Sequence, residues 1–140
     1  MIKATPKPLE EIIEYVKDYN KILVAGCDGC VTVCEAGGMK EAKVLGSALR
    51  LYYTQAGKEH EVVETTVTRQ CDKEYLETLK ELAENADAII SIACGVGIQY
   101  LMENYAHKVV FPGVDTRFMG INKERGWFEE RCAGCGQCIL

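Results

Sequence analysis

The chain has 140 residues, of which 48% are hydrophobic and 26% charged, enough for one globular domain with its own core. That apolar fraction excludes a disordered chain. A net charge of −5 without a basic block excludes a surface for nucleic acid or for an anionic membrane. The longest apolar stretch, Ala86–Ile98, is too short to span a bilayer. Because Met1–Tyr15 contain no secretory h-region, we expect a cytoplasmic protein.

The first half of the chain alternates helical and strand patterns. Apolar residues at spacings of three and four follow Pro8, which is typical of an amphipathic helix. A short apolar run then leads into a Gly-rich loop, Gly26–Cys30, and Gly37-Gly38 precede a second helix that ends at Gly57. The predicted elements are a helix from Pro8 to about Tyr19, a strand at Lys21–Ala25 and a helix at about Met39–Gln55.

The second half continues the alternation up to Pro112-Gly113. A β-branched run indicates a strand, and Asp72 is a suitable N-cap for the helix that follows it. An apolar run then ends at Cys94-Gly95-Val96-Gly97, a turn that leads into a short helix. The predicted elements are strands at His60–Thr68, Asp87–Ala93 and Lys108–Phe111, and helices from Asp72 to about Glu84 and from Ile98 to Tyr105.

Strands that are almost continuously apolar and that alternate with helices predict a mostly parallel sheet covered on both faces. We therefore expect a small Rossmann-like, three-layer α/β domain over residues 1–113. Residues 114–140 have weak periodicity and are predicted to form an irregular, cysteine-rich tail packed on that domain. The two parts together are expected to form a single domain.

Eight cysteines are the chemically distinctive feature of the chain. In a chain of this size without a secretory signal, that many thiols indicates metal binding rather than disulfides. Six of them form two triplets, and the glycines between them permit tight turns that can wrap a metal centre. The triplets are Cys27-x2-Cys30-x3-Cys34 and Cys132-x2-Cys135-x2-Cys138, and the remaining thiols are Cys71 and Cys94.

Cys27, Cys71 and Cys94 each follow a predicted strand. The carboxyl ends of parallel strands lie along one edge of a sheet, so we expect these three thiols to come together there. Two triplets and two lone cysteines can be sorted into two four-thiolate sites. Such sites bind iron–sulfur clusters or zinc, and the CxxCxxC run of the tail favours iron–sulfur because it opens the bacterial ferredoxin motif.

Other interpretations of these residues stay open. Cys71 or Cys94 alone is compatible with a buried free thiol. Gly95 and Gly97, between a strand and a helix, resemble a fragment of a phosphate-binding turn and are candidate nucleotide-binding residues. No Ser/His/Asp set or carboxylate pair with a plausible spacing supports an autonomous hydrolase. A stand-alone thiol redox enzyme needs far fewer than eight cysteines.

Four motifs together resemble the small cysteine-rich subunit of two-subunit methylenetetrahydrofolate reductases, also known as the methylenetetrahydrofolate reductase C-terminal domain. The resemblance extends from about Tyr19 to Leu140. The motifs are Gly26-Cys27-x2-Cys30-x3-Cys34-x2-Gly37-Gly38, Ile92-Ala93-Cys94-Gly95-Val96-Gly97-Ile98-Gln99, Phe111-Pro112-Gly113-Val114-Asp115-Thr116 and Glu130-Arg131-Cys132-x2-Cys135-Gly136-x-Cys138-Ile139-Leu140.

The resemblance implies a non-catalytic accessory role beside a flavin-carrying TIM-barrel subunit that performs the folate chemistry. It places Cys30, Cys34, Cys94, Cys132, Cys135 and Cys138 at positions of the family's metal-binding cysteines. We therefore expect one or two [4Fe-4S] clusters that relay electrons from a ferredoxin-like donor to the partner's flavin. The alternative is a structural or docking domain stabilised by Zn²⁺, without a redox role.

Overall fold

The strands of this chain form two sheets, one parallel and one antiparallel. The structure is a computed structural model that describes residues 1–139. Over that range the strands are β1 (Ile2–Pro6), β2 (Lys21–Cys27), β3 (Glu61–Val67), β4 (Ala88–Ser91), β5 (Val109–Pro112), β6 (Val114–Glu124) and β7 (Trp127–Glu130). The helices are α1 (Leu9–Val16), α2 (Cys30–Val33), α3 (Met39–Gln55), α4 (Lys73–Leu76), α5 (Lys80–Asn85) and α6 (Gly95–Asn104), with short 3-10 turns at Glu77–Leu79 and Gln137–Ile139.

The larger sheet has four parallel strands in the order β3-β2-β4-β5. Its centre is β2, where Leu23 pairs with Val63 of β3 on one side and with Ile89 of β4 on the other. Because successive side chains of a strand point to opposite faces, a strand buried on both sides needs an unbroken apolar run. The sequence of β2 provides it: every residue after Lys21 is buried.

Helices cover both faces of the parallel sheet, which confirms the predicted α/β architecture. On one face Ile22 and Val24 pack in a core with residues of α1 and α3, including Val16 and Tyr53. On the other face Leu23 packs in a second core with residues of α4, α5 and α6, including Leu76, Ala83 and Leu101. The alternation of apolar residues along β2 thus divides the interior into two cores.

The segment after Gly113 is not irregular as predicted, because most of it is a strand pair. β6 and β7 form an antiparallel hairpin, and β6 also pairs with β1 at the opposite end of the chain, with Ile2 facing Met119. Gly126, with φ +83°, lies in the turn between the two hairpin strands, a backbone conformation that favours glycine. Only the residues after Glu130 match the irregular tail, and Leu140 lies outside the described residues.

Two further details differ from the sequence prediction. β1 was not predicted, since five residues at a chain end carry no periodic signal until a partner strand is known. The helix predicted from Asp72 to Glu84 is broken into α4, a 3-10 turn and α5. Its start is as predicted, because the Asp72 carboxylate accepts a hydrogen bond from the backbone N–H of Glu74 at 3.2 Å.

Candidate metal centre at the carboxyl edge of the parallel sheet

Three cysteines follow three neighbouring strands of the parallel sheet. Cys27 is the last residue of β2, Cys94 follows β4 and is the N-cap of α6, and Cys71 follows β3. Since β3, β2 and β4 are adjacent, these residues lie at the same carboxyl edge. Burial raises the pKa of the Cys27 thiol, and negative charge on Cys94 and Cys71 raises it further. The structure therefore places Cys94 and Cys71 near enough to Cys27 to affect its pKa.

The three thiols differ in their access to solvent. Cys27 is 7% exposed, Cys94 is half-buried and Cys71 is exposed. Hydrogen bonds from the backbone of Gln70 and of Gly29 to Cys27 partly oppose the effect of burial on its pKa. Donors of this kind stabilise the negative charge of a thiolate and tune the sulfur ligands of metal clusters. Cys27 thus already has the backbone environment that a sulfur ligand uses.

The loop after β2 is folded tightly against this edge. The backbone N–H of Cys27 donates to the carbonyl of Gly37 at 2.9 Å, and the Thr32 hydroxyl donates to the carbonyl of Cys27 at 2.8 Å. A Cβ at Gly37 would lie 1.9 Å from the carbonyl oxygen of Ile92, so no larger residue fits without a backbone shift. Close contact with the strand end, rather than a positive φ, therefore requires glycine at this position.

A buried polar network lies beneath the cysteines, and the sequence analysis missed it. The side chain of Gln70 is fully buried, and its Nε2 donates to the carbonyls of Ala25 at 2.8 Å and Gly26 at 3.0 Å. Its Oε1 accepts a hydrogen bond of 2.7 Å from the hydroxyl of Ser91, which is also fully buried. This network ties the segment before Cys71 to the ends of β2 and β4.

A weak signal for this network is present in the sequence. Ser91 is the one polar side chain in the apolar run Ala88–Ala93, and Gln70 immediately precedes Cys71. Buried polar side chains need partners, so a serine in such a run implies another polar group nearby. That this group is Gln70 follows only from the tertiary fold.

The first cysteine triplet is divided by the structure. Cys30 is half-buried and begins α2, three residues after Cys27 ends β2. Cys34 is 8% exposed and packs in the core with its Sγ donating to the carbonyl of Ile2 in β1, at 3.4 Å. Because α2 separates the two residues, Cys34 faces the small sheet.

The second triplet is exposed. Cys132, Cys135 and Cys138 follow β7, and the backbone N–H of Cys132 donates to the carbonyl of Met119 at 3.1 Å. The glycines between these cysteines have positive φ angles, +67° at Gly134 and +74° at Gly136, so the chain turns sharply between one thiol and the next. Over residues 1–139, however, no group of three or more Cys, His, Asp or Glu side chains is already arranged to hold a metal ion.

Gly95 and Gly97, the candidate nucleotide-binding residues, have structural partners. The backbone N–H of Gly95 donates to the Thr116 hydroxyl at 2.8 Å, which caps the start of α6. A Cβ at Gly97 would lie 2.8 Å from the Cβ of Ala93 and 3.2 Å from that of Gln70. Close packing of α6 on the polar network thus accounts for Gly97, and nucleotide binding at this turn stays a prediction.

Comparison with known proteins identifies a similarity to a described family. Residues 111–140 match the family model described as methylene-tetrahydrofolate reductase C terminal. The matched segment runs from the end of β5 through β6 and β7 into the tail cysteines. No curated protein matches the chain. Among the helices of residues 1–139, none has the length and apolar character needed to cross a membrane.

Proposed function

We propose that this chain is a metal-binding accessory module of a methylenetetrahydrofolate reductase, in which [4Fe-4S] clusters relay electrons to the flavin of a partner subunit. The observation that carries the proposal is the placement of Cys27, Cys71 and Cys94 at the carboxyl ends of three adjacent strands. The family match of residues 111–140 supports the connection to the reductase. The folate chemistry belongs to the partner, and this chain has no catalytic residue of its own in the proposal.

The donor set of this edge fits a thiolate-ligated cluster. We assign Cys27, Cys71 and Cys94 as ligands, with Cys30 as the fourth because it follows Cys27 by three residues and is half-buried. Four thiolates are the ordinary ligand set of such clusters, and metal binding deprotonates a thiol whose pKa burial has raised. Because no three of these thiols are already arranged to hold a metal ion within residues 1–139, metal binding would have to draw them together. A bound cluster would supply one-electron transfer, which no side chain of this chain provides.

The surrounding residues have defined roles in this proposal. The backbone donors at Gln70 and Gly29 reduce the negative charge on the Cys27 sulfur. The Gln70–Ser91 hydrogen bond keeps the segment before Cys71 attached to the end of β4. Tail residues Cys132, Cys135 and Cys138 supply three ligands of a second centre. A flavin-containing TIM-barrel subunit and a ferredoxin-like donor complete the proposed electron path in the cytoplasm.

A zinc-stabilised docking domain is the second candidate. Its basis is the tail, where the three cysteines of the run Cys132-x2-Cys135-x2-Cys138 are separated by turns at glycines of positive φ, and structural zinc also accepts a Cys-x2-Cys spacing. In that case the metal orders the tail, because binding energy of a structural metal is folding energy. The two candidates differ in iron content, colour and redox activity, so one preparation distinguishes them.

The test is the metal content of the full chain purified without oxygen. We expect iron and acid-labile sulfide in equal amounts, about four of each per cluster, with an EPR signal after dithionite reduction. Cys94→Ala and Cys71→Ala should each lose one cluster, and Cys135→Ala should lose the tail centre.

The matched control is Cys34→Ser, which removes a cysteine of the same triplet that packs against β1 instead. We expect this variant to keep its iron and to lose only stability. About one zinc per chain without colour overturns the electron relay in favour of the docking domain. Unchanged iron in Cys71→Ala and Cys94→Ala removes the proposed centre at the sheet edge.

A further inference from the structure

The segment that follows β4 runs beside the start of β6. The backbone N–H of Gly113 donates to the carbonyl of Ser91 at 2.7 Å. A Cβ at Gly113 would lie 2.5 Å from Cγ2 of Ile92, so the two segments are in close contact there. Further along, the backbone N–H of Gly95 donates to the hydroxyl oxygen of Thr116 at 2.8 Å. The hydrogen bond between Gly95 and Thr116 therefore continues a close approach that begins at Gly113.

Thr116 lies on a strand whose backbone is held from other directions. It pairs with Ala4 of β1, and Val114, two residues earlier, is buried in the core. The carboxylate of Asp115 forms an ion pair with Lys7 at 2.7 Å. Because strand pairing, burial and this ion pair hold β6 here, the small sheet sets the position of the Thr116 hydroxyl independently of α6.

The peptide unit between Cys94 and Gly95 is held at both of its polar groups. The carbonyl of Cys94 accepts a hydrogen bond from the backbone N–H of Ile98 at 3.1 Å, in the first turn of α6. The N–H of Gly95 is bound by Thr116. A peptide unit is planar, so fixing both groups fixes its orientation and restricts the direction of the Cys94 side chain. Gly95 has no side chain of its own to restrict this backbone.

The side chain of Cys94 does not take part in capping α6. Cys94 is the N-cap residue, with φ −65° and ψ 170°, yet within residues 1–139 its side chain makes no capping hydrogen bond. An N-cap serine, threonine, aspartate or asparagine would accept a backbone N–H with its own side chain. Here the oxygen that binds the first N–H of the helix comes from Thr116. The half-buried Cys94 thiol is thus left at the sheet edge beside Cys27.

We propose that Thr116 is a positioning residue for Cys94: its hydroxyl oxygen holds the Cys94–Gly95 peptide so that the thiol stays at the sheet edge, where it is available to a metal. This deepens the proposed function and rests on it, since the role of Cys94 as a ligand is taken from there. Thr116 lies within residues 111–140, the segment that matches the reductase family model, whereas Cys94 lies outside that segment. The hydrogen bond therefore connects the matched segment to the candidate metal centre.

The experiment measures how fast iodoacetamide alkylates each cysteine of the full, reduced, metal-free chain, by mass spectrometry of its peptides. Thr116→Val keeps the shape of the side chain and removes the hydroxyl. We expect it to raise the alkylation rate of Cys94 about fivefold, the change in a local opening equilibrium that corresponds to one neutral hydrogen bond. The rate at Cys71, which is already exposed, should not change. Thr116→Ser keeps the hydroxyl and should restore the wild-type rate at Cys94.

The matched control is Thr78→Val, in the 3-10 turn between α4 and α5. Thr78 is also exposed, and its hydroxyl makes a hydrogen bond of 2.7 Å with the backbone carbonyl of Tyr75. We expect this variant to leave the alkylation rate of Cys94 unchanged. A second measurement uses the anaerobically purified, metal-loaded chain. There, Thr116→Val should release iron to a chelator about fivefold faster than wild type, because a ligand that opens more often lets the metal leave more often.

The outcomes separate this proposal from the proposed function. Faster alkylation of Cys94 alone in Thr116→Val, reversed in Thr116→Ser, supports the positioning role. Equal rates at Cys94 in wild type and Thr116→Val, or equal increases at Cys94 and Cys71, overturn it and leave an iron-loaded electron relay in place. A wild-type chain without iron overturns the relay, while the alkylation rates still decide whether Thr116 positions Cys94. If circular dichroism shows that Thr116→Val does not fold, the comparison of Thr116→Ala with Thr116→Ser gives the same decision.

Discussion

Replacing Gln70 by methionine is the most informative perturbation of the candidate metal centre. The two side chains are similar in length and volume, so the change removes polar groups with little change in packing. In Gln70→Met the Ser91 hydroxyl loses its acceptor and the Gly26 carbonyl loses a donor. The Ala25 carbonyl keeps the backbone N–H of Ile92 at 3.0 Å.

The expected cost follows from these two losses. The Ser91 hydroxyl, left without an acceptor, costs about 1–3 kcal/mol, whereas the Gly26 carbonyl keeps its ladder hydrogen bond to β3 and adds about 1 kcal/mol at most. Burial of the thioether in place of the amide offsets about 1 kcal/mol of this. We expect the free energy of unfolding to fall by about 2 kcal/mol. That is a large share of the roughly 5–15 kcal/mol by which a domain is stable.

The assay is urea unfolding followed by circular dichroism, on metal-free protein with reduced thiols, so that metal binding does not contribute to stability. Gln99→Met is the matched control, because Gln99 is exposed on α6. We expect this control to stay within about 0.5 kcal/mol of wild type. Ser91→Ala removes the donor of the Ser91–Gln70 hydrogen bond. The double variant Gln70→Met/Ser91→Ala should lose about 1–2 kcal/mol less stability than the two single variants lose together.

Two results would refute this reasoning. If Gln70→Met and Gln99→Met have the same effect, the buried hydrogen bonds of Gln70 contribute nothing measurable. If the effects of Gln70→Met and Ser91→Ala add without coupling, the two side chains do not act as one network.

The remaining predictions concern α6 and the ion pair beside β6. Gly97→Ala should destabilise the chain by about 1–3 kcal/mol, because its Cβ would lie 2.8 Å from that of Ala93. Gly95→Ala, whose Cβ would meet only a hydroxyl oxygen at 3.5 Å, is the control and should be neutral or slightly stabilising. The hydrogen bond from Lys7 lowers the pKa of Asp115 from its ordinary value of 3.8. The ion pair between Lys7 and Asp115 therefore stabilises the fold above about pH 3.8, and this stabilisation is lost as the pH falls through the lowered pKa of Asp115. The urea midpoints of wild type and Asp115→Asn should therefore differ at neutral pH and converge in acid.

Both predictions can fail clearly. Equal stability of Gly97→Ala and Gly95→Ala contradicts the close approach of α6 to the segment after β4. A midpoint difference between wild type and Asp115→Asn that stays constant, or grows, in acid contradicts the ion pair with Lys7.

The local sequence predicted much of the fold because its signals are periodic. Nearly continuous apolar runs within Lys21–Ala25 and Asp87–Ala93 predict strands buried on both sides, and the helical patterns between the strands then favour a parallel sheet. From this topology the common edge of Cys27, Cys71 and Cys94 follows without any knowledge of side-chain contacts. The order of elements therefore determined where the candidate centre lies.

Strand pairings between distant parts of the chain leave no periodic signal in the local sequence. β1 becomes a strand because β6 lies beside it, and β6 is a strand because it has partners on both edges. The mixed polar and apolar residues of Val114–Glu124 give no clear strand pattern, since only Val114 and Gly120 are buried, and the strand is recognised by its pairing with β1 and β7. The position of the exposed Trp127 in β7, opposite Glu124 of β6, follows only from this pairing.

The candidate centre likewise has features that the sequence predicts and features that only the tertiary structure decides. The number and spacing of the cysteines, which the sequence shows directly, determine which ligands the chain has available for a metal. The tertiary structure decided that Cys34 faces β1, that Cys27 is buried and that Gln70 and Ser91 share a hydrogen bond. The physical reason is that spacing along the chain sets which residues are available, whereas side-chain direction and burial depend on what packs against them from elsewhere in the chain.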